Sequence, residues 1–209
     1  MVIINFILHI DRYIDSFITS YGALTYLILF VVIFGETGLV IAPFLPGDSL
    51  IFAAGTFAGL GSLSYFWLYV LFTIAAVLGD NANYLIGKTI GKRIVESKKI
   101  KYLNETNLDK AHAFINKYGA KAVVLARFMP IIRTLVPFIL GIGEMNYKKF
   151  TIYNIIGGIL WVSLFINLGY FFGNIDVVRN HFSLVIIGIV MISALPIIIE
   201  VIRNIIKKR

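Results

Sequence analysis

The chain has no cysteine among its 209 residues. That excludes disulfides, thiolate nucleophiles and cysteine-ligated metals, and leaves the redox compartment open. Histidine is nearly as scarce: His9, His112 and His181 are far apart, and none stands at ligand spacing from a carboxylate or a second histidine. No metal site and no cofactor are expected. There is no Gly-x-Ser-x-Gly elbow, and no histidine falls in an apolar span where a serine nucleophile would use it, so no catalytic residue is assigned. Charge is also thin. Charged residues make up 14% of the chain against 59% hydrophobic, with a mean hydropathy of +0.88. Those values exclude an ordinary soluble domain and indicate a chain that lives in a bilayer.

The apolar sequence is distributed in long runs. Residues 49–79 and 150–175 contain no charged residue, and each exceeds the ~20 residues a helix needs to cross the hydrocarbon core. Residues 182–199 form a third, shorter candidate. The first ten residues lack a basic leading region and a small-residue cleavage site, so no cleaved signal peptide is read. Phe6, Ile10, Ile14, Phe17 and Ile18 recur at helical spacing, which predicts an amphipathic helix over 1–20 lying in the interface.

The formal net charge of +8 is placed for topology rather than for nucleic acid. Nine Lys/Arg fall between Lys88 and Lys121 against Glu96, Glu105 and Asp109, and the chain ends with Arg203, Lys207, Lys208 and Arg209. The positive-inside rule assigns both segments, and with them the C-terminus, to the cytoplasm. Lys148 and Lys149 make a third basic junction. With all three facing inward, spanning helices are expected over 64–87, 149–173 and 182–203. A cytoplasmic amphipathic segment follows over 88–120, in which Leu108, Ala111, Ile115 and Tyr118 share one face and Gly119 is the expected stop.

Residues 121–143 then lie between two cytoplasmic segments and must enter and leave by one face, as a re-entrant hairpin. Residues 21–61 have the same apolar arms around a Gly/Pro turn and open to the opposite face. Pro43, Pro46, Gly47, Pro130 and Pro137 are the residues expected to shape the two hairpins. Non-helical backbone at this depth must be buried in protein or line a cavity, and two opposed hairpins supply each other's lining. Tyr84-Leu85-Ile86-Gly87 and Tyr170-Phe171-Phe172-Gly173 end the two following helices alike. The expected fold is therefore an all-α polytopic membrane protein in a single transmembrane domain over 21–205, with two opposed re-entrant hairpins plus spanning helices in an inverted repeat.

Two charged clusters interrupt the apolar sequence. Gly35-Glu36-Thr37-Gly38 leads into Pro43-Phe44-Leu45-Pro46-Gly47-Asp48, and Arg127-Phe128-Met129-Pro130-Ile131-Ile132-Arg133 leads into Pro137. An ionised side chain at membrane depth costs at least ~2.5 to 3.5 kcal/mol, so these four need a partner, a water-filled cavity or a ligand. Asp80, beside Asn81 and Asn83, would either join them or cap helix ends and meet Lys88. Asp80, Asn83 and Tyr84 are accessory candidates.

The Glu-x-Gly of Glu36 to Gly38, the Pro-x-x-Pro-Gly-Asp of Pro43 to Asp48, Gly79-Asp80 with Asn83-Tyr84-x-x-Gly87, and Arg127-Phe-x-Pro-x-x-Arg133 with Pro137 and Gly141 together resemble the DedA family. Its members are also described as SNARE-associated or VTT-domain membrane proteins. Phe150, Asn154, Gly157 and Trp161 resemble that family's last block, so the resemblance covers roughly residues 20–175. Gly141-Ile142-Gly143 stands where Ala-Gly is often found. The resemblance implies a lipid transporter of the bacterial plasma membrane, moving a phosphorylated lipid such as undecaprenyl phosphate, with protons as the coupling ion. It implies that Glu36 and Asp48 are the embedded acids and Arg127 and Arg133 the essential arginines.

The chemistry of the residues agrees. Guanidinium presents a planar fork of donors that matches phosphate oxygens, which suits Arg127 and Arg133 to a phosphate headgroup. Burial raises a carboxyl pKa while an arginine neighbour lowers it, which suits Glu36 and Asp48 to loading and releasing protons. The expected partners are membrane lipids and protons, with a homo-oligomer also open. A passive phospholipid scramblase, or a structural protein whose embedded charges are permanent ion pairs, stands as the alternative. A lipid enzyme is weaker because no nucleophile or metal accompanies the charges.

Overall fold

A computed structural model describes residues 22–38, 47–96, 105–143, 145–176 and 178. The predicted helices 1–20 and 182–203, and the turn prolines Pro43 and Pro46, lie outside the described residues. Among the described residues the chain is all-helical, with no strand. The helices are α1 (Ala23–Gly38), α2 (Gly47–Gly59), α3 (Tyr65–Glu96), α4 (Glu105–Tyr118), α5 (Ala122–Ala126), α6 (Pro130–Ile142) and α7 (Tyr147–Gly173), with a 3₁₀ turn at Gly119–Lys121.

Two of these helices are long and apolar enough to cross a membrane, over Tyr65–Gly91 and Tyr147–Gly173, at 27 residues each. At 1.5 Å per residue each exceeds the ~30 Å hydrocarbon core. Their exposed surface is apolar: along α7, Ile152, Ile155, Ile159, Leu164, Leu168 and Phe171 all face outward. Contiguous apolar surface of that kind is unfavourable in water and expected against lipid. By contrast α1 is apolar but has only 16 residues, short of the ~20 required to cross.

The helices stop where the backbone chemistry says they should. Gly61 (φ +88°), after α2, and Gly119 (φ +56°), after α4, take the left-handed conformation that other residues avoid. Between α5 and α6 the helix breaks at Arg127-Phe128-Met129. Met129 is extended (φ −123°, ψ 107°), as the residue before a proline must be, and Pro130 opens α6, where its missing N–H costs nothing. The freed amides turn back on the preceding helix: Met129 N–H bonds the Ala126 carbonyl at 2.9 Å.

Several boundaries differ from the sequence reading. α3 runs on through Gly87 and Gly91 to Glu96 rather than ending at 87, because both glycines are sites of close packing and not helix stops. A Cβ at Gly87 would overlap the Phe138 carbonyl, and one at Gly91 the Ile142 side chain. α7 starts at Tyr147 rather than 149. In α4, Ala111 is fully buried against Leu135, Phe138 and Ile139 of α6, with Leu108 and Ile115 beside it, whereas Tyr118 is 36% exposed. The apolar face of α4 is therefore spent on protein.

The chain divides into two compact units, one of residues 1–29, 46–69 and 164–209, the other of 30–45 and 70–163. In the first unit α2 packs on the C-terminal part of α7. A Cβ at Gly59 would overlap the Tyr170 carbonyl, one at Gly173 the Thr56 carbonyl, and one at Gly169 the Phe52 carbonyl. Such small-residue stripes let helix backbones touch in a membrane. The Tyr65 hydroxyl bonds Asn167 Oδ1 at 2.9 Å, and the Tyr65 ring meets Tyr170 edge-on.

In the second unit α6 packs on α3 by the same pattern. A Cβ at Gly141 would overlap the Tyr84 carbonyl and one at Gly87 the Phe138 carbonyl, while Asn83 Nδ2 donates to the Thr134 carbonyl at 2.8 Å. The two sets of contacts correspond at fixed steps: 59 to 141, 56 to 138 and 52 to 134 are each 82 apart, and 84 to 170, 87 to 173 and 83 to 169 are each 86 apart. The core of this unit is Tyr84, Ala122, Val123, Ala126, Val136, Leu140 and Phe150, with Tyr84 stacked on Phe150 at 4.6 Å between centroids.

Candidate functional site

Among the described residues the second unit buries four charged side chains. Glu36 stands in the last turn of α1, two residues before Gly38, and is fully buried; Arg133, in the first turns of α6, is 8% exposed. They form a direct ion pair, Arg133 Nη2 to Glu36 Oε1. Arg127, at the break between α5 and α6, pairs with Asp80 of α3 at 2.6 Å, and both are nearly sealed from solvent. One break in one helix thus holds two guanidiniums, and helices α1 and α3 each bring one carboxylate.

Close backbone approach makes this possible. Gly38 and Gly79 face each other, with a Cβ on Gly38 only 3.3 Å from the Gly79 backbone, and a Cβ on Gly79 would overlap the Thr37 side chain. Glycine at 79 therefore lets α1 lie against α3 beside Asp80. Asn83, fully buried, ties this junction to α6 by donating to the Thr37 carbonyl at 3.3 Å as well as to Thr134. Thr37 spends its own hydroxyl on the Ile33 carbonyl at 2.9 Å.

Helix α7 supplies the remaining wall. Asn154, fully buried, accepts from Arg127 Nη2 through Oδ1 and donates through Nδ2 to the Val77 carbonyl at 3.0 Å. Arg127 Nη2 also reaches the Ala76 carbonyl at 3.3 Å. One turn further, a Cβ on Gly157 would stand 3.1 Å from Arg127 Cδ, so the absence of a side chain there is what admits the arginine. Beyond that, the Trp161 ring, 1% exposed, lies 6.0 Å from Arg127 Cζ and 5.5 Å from Arg133 Cζ. Both distances are within cation–π range. Arg127 Nε is buried with no hydrogen-bond acceptor among the described residues, an uncommon condition for a charged donor. Among the described residues no cluster of His, Cys, Asp or Glu could hold a metal.

The sequence profile of the VTT domain matches residues 45–171. Protein DedA of Escherichia coli K12 is 47% identical over 204 residues, covering 97% of this chain and 93% of that protein. A membrane protein of Mycobacterium leprae is 39% identical over 169 residues, 81% of this chain and 76% of its own. The inner membrane protein YqjA of E. coli is 35% identical over 156 residues, 75% of this chain and 71% of its own. The chain belongs to the DedA family. No solved structure matches it.

In this DedA-family membrane protein, three of the four charged residues singled out from sequence lie in the second unit. The fourth, Asp48, opens α2 in the first unit, half-buried in a first turn where a carboxylate complements the helix dipole. Of the two readings of Asp80, joining the charged cluster or capping helix ends and meeting Lys88, the structure shows it paired with Arg127. Tyr84 is a core side chain whose hydroxyl bonds the Met145 carbonyl. Gly47 is the buried first residue of α2, and Pro137 lies inside α6.

Sequence reading passed over Asn154, Gly157 and Trp161 as site residues. Their signal was their spacing: 154, 157 and 161 fall at i, i+3 and i+7 on one face of a helix.

Proposed function

We propose that this protein is a transporter, not an enzyme, that carries a phosphorylated lipid across the bacterial plasma membrane by exchanging buried carboxylates for the lipid's phosphate. The observation that carries the reading is the pair of sealed guanidiniums, Arg127 and Arg133, each held by one carboxylate, with Arg127 Nε still lacking an acceptor among the described residues. A guanidinium fork suits phosphate oxygens as well as it suits carboxylate. A phosphate headgroup entering the site would displace Glu36 and Asp80, and protons on the released acids would keep the site near neutrality. Asp48 serves as a further acid of the proton path. The lipid is an anionic polyprenyl phosphate of the undecaprenyl class, and the C-terminus is cytoplasmic.

The corresponding contact sets of α2 with α7 and α6 with α3 support an internal repeat. Together with the short α1 and the broken α5–α6 segment, they favour two re-entrant hairpins in an inverted repeat, a plan in which ligand sites sit at broken helices. The competing reading is a set of permanent ion pairs, favoured by the one-to-one pairing of arginines with acids.

The test is transbilayer movement of undecaprenyl phosphate and of a labelled common phospholipid in proteoliposomes, with and without a pH gradient, for wild type, Arg127→Ala and Glu36→Gln. Gradient-stimulated movement of the polyprenyl phosphate alone, lost in both variants while they remain folded, is the expected result. Gradient-independent movement of both lipids would indicate a scramblase, and movement of neither would leave the ion pairs as structure.

A further inference from the structure

If carboxylates are exchanged for a phosphate, something must keep two guanidiniums in place while their partners change. The geometry points to Trp161 as that element: a positioning residue, an uncharged platform shared by Arg127 and Arg133 that holds both in the site whether or not the carboxylates do. This inference rests on the exchange reading for its purpose, but not for its physical content.

The indole is buried and lies within 6.0 Å of one guanidinium carbon and 5.5 Å of the other. The attraction between a cation and an indole face depends on the ring's quadrupole and is strongest when water is excluded, as it is here. Unlike Glu36 and Asp80, the indole takes up no proton, and it offers no acceptor that would compete with a phosphate. The rest of the same helix face prepares the arrangement. Gly157 leaves the space that the Arg127 stem occupies, and Asn154 accepts from its Nη2. Charged groups that face the two arginines in this unit are Glu36 from α1 and Asp80 from α3; α7 contributes only neutral side chains there. With both carboxylates withdrawn, Trp161 and Asn154 are the contacts on α7 that would remain.

Arginine-labelled NMR of the purified full chain in nanodiscs reads this directly. Two buried Nε–H signals should be displaced by the indole ring current relative to exposed arginines such as Arg93. They should stay displaced in Glu36→Gln and in Asp80→Asn, and move to ordinary positions in Trp161→Leu. Trp161→Phe should keep a reduced displacement. Loss of displacement in Glu36→Gln or Asp80→Asn would overturn the inference, because the carboxylates, not the indole, would then be holding the arginines. If Trp161→Leu fails to fold, those two variants still decide it.

In the same nanodiscs, binding of farnesyl phosphate should weaken on the order of tenfold in Trp161→Leu and much less in Trp161→Phe. Equal weakening in both would reduce Trp161 to a space-filling residue and overturn the assignment. Failure of farnesyl phosphate to bind wild type, with the arginine signals behaving as expected, would count against the transport reading and leave the platform standing.

Discussion

In the first unit α2 crosses α7 on glycines with an apolar lining, whereas in the second α6 crosses α3 with corresponding backbone contacts and a charged lining. Where the first unit has Ile166, the second has Asp80 at the step of 86; where α2 has Ile51, α6 has Arg133 at the step of 82. Ile51 and Ile166 are fully buried, and so, within a few per cent, are Asp80 and Arg133. The first crossing demonstrates that this helix pairing holds with apolar side chains at those positions. Charges in the second crossing are therefore not required for packing, and buried ion pairs are seldom more stabilising than apolar residues of similar size. Their presence calls for a reason other than stability, which is why the exchange reading is preferred over a permanent lock.

The largest effect is expected at Arg133. Replacing it by alanine leaves Glu36 buried without its ion-pair partner and should cost about 3–5 kcal/mol, read as a large fall in the thermal unfolding midpoint in detergent. Replacing both partners of that ion pair by apolar residues, Glu36→Leu and Arg133→Met together, should return the midpoint to that of wild type or above. A double variant as unstable as the single one would mean the charges are structural after all.

A smaller effect tests whether the two crossings share their packing. Gly173→Val in α7 and Gly87→Val in α3 both drive a side chain into a facing carbonyl, that of Thr56 and of Phe138 respectively. Each should cost on the order of 1–3 kcal/mol, and by similar amounts. A harmless Gly173→Val would dissolve the correspondence.

Of comparable size, Asn83→Ala removes the donor to the Thr134 and Thr37 carbonyls, a contact the first crossing makes with Gly169 instead. A loss of about 1–3 kcal/mol is expected. Tyr65→Phe, which removes one bond to Asn167, should cost about 1 kcal/mol or less. Reversal of that order would place the critical polar contacts in the first unit.

Much of this was legible in the sequence because the bilayer is so restrictive a solvent. Long uncharged runs must be helices, and charges within apolar sequence must find partners, so Glu36, Asp48, Arg127 and Arg133 stand out from the sequence alone. What could not be read was which acid meets which arginine. Asp80 lies on a helix whose pattern gives no sign that it faces Arg127, 47 residues away, since the placement of the Arg127 side chain depends on the space left by Gly157 of α7. The continuation of α3 past Gly87 was hidden for a similar reason: glycine usually reads as a stop, and only the facing carbonyl of Phe138 reveals it as a packing site. Trp161 was visible as a residue but not as a partner, because an aromatic in an apolar span is ordinarily core.

The most direct measurement is transport by the Glu36→Leu/Arg133→Met double variant in proteoliposomes bearing a pH gradient, alongside its unfolding midpoint. The account predicts gradient-driven movement of undecaprenyl phosphate by wild type and none by a double variant that is at least as stable. A stable double variant that moves the lipid as fast as wild type would contradict it.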